Sequence, residues 1–212
     1  MGTVILVTGG AKSGKSLFAE KLAGSLSEHV VYVATAEVLD EEMTARVARH
    51  RAQRPATWIT LEAPRDPELA LSAVPPSAGA VLVDCLTIWT SNRLLALGEP
   101  EVAGWWDAVV DLQDTLCEEL GEVVAAARAR SGHLVMVTNE VGYGVVPDTP
   151  LGRAFRDVLG AVNQRVAGLA DAVFLVVAGL ATEVKGSAID ARVYARTMRL
   201  RHQGVTSSSK QQ

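Results

Sequence analysis

Residues Gly9 to Ser16 read GGAKSGKS and follow the apolar run Val4-Ile5-Leu6-Val7-Thr8. They fit the pattern G-x-x-x-x-G-K-[ST], with Gly9, Gly14, Lys15 and Ser16 in its fixed places. A buried strand must therefore run into a tight glycine-rich turn, and the turn must open a helix near Lys15. The glycines let backbone N–H groups point inward at a phosphate. The helix N-terminus adds partial positive charge at the same point. In such a loop the lysine reaches the β- and γ-phosphates and the hydroxyl ligates Mg²⁺, roles that fall on Lys15 and Ser16. The candidate phosphate cradle is thus Gly9, Gly10, Ala11, Lys12, Ser13, Gly14, Lys15 and Ser16.

The rest of the chain continues that corner. Short apolar runs alternate with longer amphipathic stretches, the pattern of a parallel sheet covered by helices. Strands are expected near 4–8, 30–34, 80–84, 134–138 and 172–178, with a further short one near 57–61. Helices fit 15–26, 40–53, 86–96, 106–130 and 150–169. The last has a start signal in Asp148-Thr149-Pro150. The segments Ala63 to Gly79 and Gly98 to Gly104 read mostly as loops. With 212 residues, 49% hydrophobic but only 5% aromatic, the chain has enough Val, Leu and Ala for one sizeable core. The expected organisation is one nucleotide-binding catalytic domain over 1–185. A C-terminal extension over 186–212 would hold one short helix between Ala188 and Arg201 and a disordered tail.

Composition narrows the function classes. A net charge of −4 argues against non-specific nucleic-acid binding. No apolar run is long enough to cross a bilayer, and Met1-Gly2-Thr3 leads straight into a strand, so neither membrane insertion nor a secretory signal is expected. Cys85 and Cys117 form no C-x-x-C pair, and a reducing cytoplasm is the simplest home.

Three further stretches carry chemistry. Val81-Leu82-Val83-Asp84 ends a buried strand in a carboxylate, the usual second Mg²⁺ contact of a phosphate-loop enzyme; the same residue also suits a turn or cap. Around 46–54, Arg46, Arg49, His50, Arg51 and Arg54 crowd one helix and its exit, and Pro55 ends the helix. Met43, Val47 and His50 share a face. By that pattern alone His50 is a half-buried residue on a basic helix whose arginines pair with Asp40, Glu41 and Glu42. Finally, Thr138-Asn139-Glu140 closes a strand before the glycine-rich run Val141 to Pro147. Ligands on open α/β sheets lie beyond the carboxyl ends of strands, so this loop should approach the phosphate cradle; a turn that needs glycine explains it equally well. His29, His133 and His202 read as surface residues, and Trp105-Trp106 as packing at a helix start or an interface.

Taken in order, GGAKSGKS, VATAEVLDEEMTARVARHRAQRPATWITLE, LVDCLTIWTSN and VTNEVGYGVVPDTPLGRAFRDVLGAVNQRVA resemble one family. It is the bifunctional adenosylcobinamide kinase/adenosylcobinamide-phosphate guanylyltransferase family of cobalamin biosynthesis. The resemblance spans Val4 to Lys185, and H-R-x-x-R-P-x-x-W-x-T-x-E and V-T-N-E-V-G are its most specific blocks. It implies a RecA-like fold, a homotrimer, and two reactions. One phosphorylates the aminopropanol hydroxyl of adenosylcobinamide with ATP or GTP. The other transfers GMP from GTP to that phosphate, giving adenosylcobinamide-GDP and pyrophosphate. It also implies that His50 carries the GMP, that Arg51, Ala52, Gln53 and Arg54 contact nucleotide, and that Glu62, Asp84 and Ala34-Thr35-Ala36 belong to the same site. Arg49 stands where some members have a second histidine. No motif identifies the base of the kinase step; Glu140 is a trial choice.

Other phosphate-loop proteins fit less well. A single-activity small-molecule kinase would leave His50 structural. A switch GTPase would show N-K-x-D where this chain has Thr138-Asn139-Glu140-Val141. A DNA-stimulated ATPase calls for a basic groove that the net charge does not favour.

Overall fold

A computed structural model describes residues 2–37, 54–196, 198 and 199. The helix expected over 40–53, with His50, Arg51, Ala52 and Gln53, lies outside the described residues. The described strands are β1 (Val4–Gly9), β2 (Val30–Ala34), β3 (Ile59–Glu62), β4 (Ala80–Asp84), β5 (His133–Val137), β6 (Ala172–Val177) and β7 (Leu180–Glu183). The helices are α1 (Lys15–Leu26), α2 (Pro67–Ser72), α3 (Leu86–Leu95), α4 (Trp105–Ala129) and α5 (Pro150–Leu169).

The strands form one seven-stranded sheet in the order β3-β2-β4-β5-β1-β6-β7. Every pairing is parallel except the last, β6 with β7. The central strands are apolar at successive positions because both faces are covered. Side chains alternate between the faces. Ile5, Val7, Val30, Tyr32, Leu82, Val135 and Val137 pack with Ala19 and Ala23 of α1 on one side. Val4, Leu6, Val31, Val33, Val81, Val83, Leu134 and Met136 face the residues of α2 to α5 on the other. In α5, Ala154, Val158, Leu159, Val162 and Val166 are buried, the stripe expected of a helix laid on a core. Thr149 caps that helix by accepting from the Gly152 N–H, with Pro150 at its first position.

Three parts of the sequence reading are corrected. The stretch Ala63 to Gly79 holds the six-residue helix α2, started by Asp66-Pro67 and docked through buried Leu71. Six residues are too few for a helical period to show. The chain after β6 also turns back as β7 through Ala178 and Gly179, with φ of 51° and 82°. Positive φ at both central residues is the turn that matches strand twist. Ala-Gly is a weak sequence signal for it, and β7 is a half-exposed edge strand. His133 is corrected too: it opens β5 half-buried. Trp105 is buried at the start of α4, with Trp106 exposed and edge-on to it at 5.1 Å.

β5 lies between β1, which carries the phosphate loop, and β4, which ends in Asp84. One strand therefore separates the two, and its own end, Thr138-Asn139-Glu140, enters the gap. Beyond β7, residues 191–196 are helical.

Candidate active site

The phosphate loop follows from its glycines and its neighbours. Gly14 caps α1 with φ 93°, a conformation that an L side chain resists. Ser13 N–H donates to Gly10 O at 3.2 Å, closing the turn. Two further bonds fix the loop from outside. The Glu140 N–H donates to Gly9 O at 3.1 Å, and the Gly179 N–H donates to Ser13 O at 2.8 Å. The glycine-rich run after β5 thus starts against the phosphate loop, as its place on the sheet implied, and the β6–β7 turn braces the opposite side. Lys15 is 8% exposed and its Nζ donates to Gly10 O at 3.2 Å, so its ammonium lies along the loop. Gly10, Ala11 and Lys12 are exposed at the tip, and Ser16 stands in the first turn of α1.

The other described site residues end neighbouring strands at one level. Glu62 pairs with Ala34 and Ala34 with Asp84. Asp84 then aligns with Val137 of β5, and Val137 with Val7 of β1. Equal register on parallel strands puts Glu62, Ala34 and Asp84 along the carboxyl edge of the sheet, where open α/β sheets bind ligands. Thr35 is fully buried; its Oγ1 donates to Cys85 O at 2.8 Å and accepts from Cys85 N–H at 2.7 Å. Asn92 Nδ2 donates to Thr35 O and Pro64 O at 2.9 and 2.8 Å, tying the ends of β2 and β3 to α3. Glu62 is exposed and borders a cavity of about 440 Å³ with Glu37, Pro64 and Arg65.

Arg54 enters this edge. Its guanidinium carbon lies 3.5 Å from the centroid of the Tyr32 ring, and its Nε is 3.7 Å from Glu20 Oε1. The Tyr32 hydroxyl donates to Asp84 Oδ2 at 3.0 Å. Burial pushes the Glu20 carboxyl up to about 7, against the pull of Arg54 and with a push from Asp84. Burial, then Asp84, hold the Tyr32 hydroxyl far above its usual range. Burial and then Asp84 push the Cys85 thiol up to about 11, so it stays protonated at neutral pH and is no nucleophile.

Below the edge, Thr138, Asn163, Asn139 and Thr87 form a polar chain. Thr138 Oγ1 donates to Asn163 Oδ1 at 2.7 Å, and Asn163 Nδ2 donates to Asn139 O at 2.9 Å. The Asn139 N–H donates to Thr87 Oγ1 at 2.6 Å. These bonds fix the end of β5 beside the loop. Sequence patterns gave no sign of Glu20, Tyr32 or Asn92. Each lies in a regular element, and only the folded sheet brings it to Asp84, Arg54 or Thr35.

This geometry is that of a phosphate-loop enzyme, and comparison gives it a family. Residues 5–184 match the family model "Cobinamide kinase / cobinamide phosphate guanyltransferase". The chain belongs to that family. It is 42% identical to the bifunctional adenosylcobalamin biosynthesis protein CobU of Salmonella typhimurium, over 86% of this chain and 99% of the relative. It is 41% identical to the protein of the same name from Escherichia coli, over 86% and 99% of the two chains. The similarity to bifunctional adenosylcobalamin biosynthesis protein CobP of Pseudomonas aeruginosa is 40% over 85% and 96%. The resemblance in the sequence motifs is thereby confirmed, and the parallel sheet with helices on both faces is the fold expected of it. Among the described residues no helix is long and apolar enough to cross a membrane.

Proposed function

We propose that this chain phosphorylates adenosylcobinamide with ATP or GTP, and then transfers GMP from GTP to the new phosphate through His50. The observation that carries the reading is the family match over 5–184, on a chain whose phosphate loop, Asp84 and Glu62 share one sheet edge. In the kinase step the aminopropanol hydroxyl oxygen attacks the γ-phosphorus, the β–γ bridging bond breaks, and the nucleoside diphosphate leaves. Lys15 and the loop N–H groups hold the transferring phosphate. Glu140, whose own N–H is anchored to Gly9 O, is the proposed acceptor of the hydroxyl proton.

In the second step a neutral His50 nitrogen attacks the α-phosphorus of GTP, the α–β bond breaks and pyrophosphate leaves. An oxygen of adenosylcobinamide-phosphate then displaces the imidazole, breaking the P–N bond and forming adenosylcobinamide-GDP. Arg51 and Arg54 offset phosphoryl charge, and Glu62 accepts two hydrogen bonds from the guanine edge. β1 and β3 are four strand spacings apart, ~19 Å. On this reading the guanine lies at the β3 end, the terminal phosphates at the loop, and the α-phosphorus between them near Asp84 and Arg54. His50 is four residues from Arg54, at most ~14 Å of chain, which supports its reaching that phosphorus.

Ser16 and Asp84 offer the hard oxygen donors that suit Mg²⁺, and the half-exposed Asp84 carboxylate at the sheet edge fits such a ligand. When bound, the ion would offset charge on the phosphates. The proposed homotrimer has a candidate surface in Val102, Trp106 and Val110, spaced four apart and 62%, 48% and 58% exposed; sedimentation of the purified chain tests it.

Incubation with α-labelled GTP should leave label on the chain, labile to acid and stable to base. His50→Ala should abolish labelling and guanylyl transfer while sparing kinase activity. A variant that labels like the parent removes His50 as the carrier. A parent that makes phosphorylated product and takes no label supports the single-activity kinase instead.

A further inference from the structure

Glu20 has no place in the motifs. It sits on α1 four residues after Ser16, hence on the same face of that helix. Its side chain is 9% exposed, that of Arg54 is 7% exposed, and the two charges meet at 3.7 Å. Among the described residues Glu20 Oε1 has no hydrogen-bond partner, so the ion pair is what compensates that oxygen. A carboxyl buried this way costs stability, and a neutral side chain of similar shape would pack there at less cost. Packing therefore does not account for a glutamate at this position. What the glutamate does is hold a guanidinium over the Tyr32 ring, its carbon 3.5 Å from the centroid, while the Tyr32 hydroxyl is bound to Asp84 at 3.0 Å.

We propose that Glu20 is a positioning residue for guanylyl transfer: from the phosphate-loop helix it fixes the Arg54 guanidinium over Tyr32, at the point on the sheet edge where the GTP phosphates cross toward Asp84. The proposal rests on the reading of Arg54 as a nucleotide contact. The guanidinium fork is rigid and directional, so its value to a phosphate depends on its orientation. Two described contacts bear on that orientation. The Tyr32 ring holds the guanidinium carbon over its face, and Glu20 draws Nε toward α1. Glu20 thereby joins the helix that cradles the terminal phosphates to the arginine that meets the remainder of the triphosphate. Its effect passes through Arg54 and touches no reacting atom.

The test is a cycle of Glu20→Gln, Arg54→Gln and the double variant in the full chain at pH 8, where the Glu20 carboxyl is ionised, reading GTP KM, kcat for GMP transfer and melting temperature. Glu20→Gln should raise the GTP KM roughly tenfold with kcat within about twofold, and should melt no lower than the parent. Arg54→Gln should raise KM at least as much, and the double variant should match Arg54→Gln alone. Glu20→Asp, which keeps the charge but withdraws it by one methylene, should show a smaller rise and serves as the readout if the glutamine variant does not fold. A parental GTP KM in Glu20→Gln or Glu20→Asp overturns the proposal, as do additive effects in the double variant. If the parent chain transfers no GMP, the functional reading fails first; the same cycle on the dissociation constant for GTP then decides Glu20 separately.

Discussion

Thr35 and Cys85 exchange two hydrogen bonds through a single hydroxyl, which donates to the Cys85 carbonyl at 2.8 Å and accepts from its N–H at 2.7 Å. The bond pair clasps the chain leaving β2 to the chain leaving β4, directly beside Asp84. Valine has the shape of threonine but neither bond. Thr35→Val should cost about 2 kcal/mol in urea unfolding, because buried backbone groups lose their partner. Thr35→Ser, which keeps the hydroxyl, should cost less than half as much. An equal loss in both variants would mean that the methyl group matters more than the clasp.

The β6–β7 turn carries an Ala at φ 51°, and its Gly179 N–H holds Ser13 O in the phosphate loop. Alanine in that region is strained by about 1 kcal/mol, whereas asparagine is favoured at the first position of such a turn. Ala178→Asn should raise unfolding free energy by about 0.5–1 kcal/mol and leave the ATP KM of the kinase step unchanged. A loss of stability would show that the turn tolerates alanine for a packing reason.

Lys15 Nζ donates to Gly10 O at 3.2 Å, which lays its ammonium along the phosphate loop. Lys15→Met should lower the kinase rate by roughly a hundredfold or more, in line with the loss of one donor to a transferring group. It should depress labelling by α-labelled GTP less, because that step occurs at the α-phosphorus. Equal losses in the two assays would place both reactions on one phosphate grip.

The fold was largely legible because buried parallel strands announce themselves. Val4 to Thr8, Val30 to Ala34 and Ala80 to Asp84 are short apolar runs between longer amphipathic stretches, and a phosphate loop says which one comes first. Asp84 was legible as a carboxylate ending a buried strand, Thr35 and Glu62 through motif resemblance, and strand register then set Asp84 and Glu62 level with Ala34. Other partners were illegible for a physical reason. Glu20 reads as one more polar residue on an amphipathic helix, and Tyr32 as one more apolar residue of a strand; their meeting with Arg54 and Asp84 depends on contacts between elements far apart in sequence. β7 and α2 were hidden by length, since four and six residues carry no period.

The Glu20 carboxyl also predicts how stability follows pH. Its folded value of about 7 lies above the ordinary carboxyl value of 4.5, so between those two the folded chain holds a proton that the unfolded chain has released. Stability from this group is full below 4.5 and declines as pH rises toward 7, by about 3 kcal/mol in all. Asp84 and Arg54 face the same space and act in opposite directions, Asp84 favouring the proton and Arg54 opposing it. Glu20→Gln does not titrate. Its unfolding free energy, followed by chemical denaturation from pH 5 to pH 8, should therefore fall less steeply than the parent's and exceed it above pH 7. Parallel curves for the two proteins would show that Glu20 is already ionised in the folded chain across this range, with Arg54 outweighing its burial.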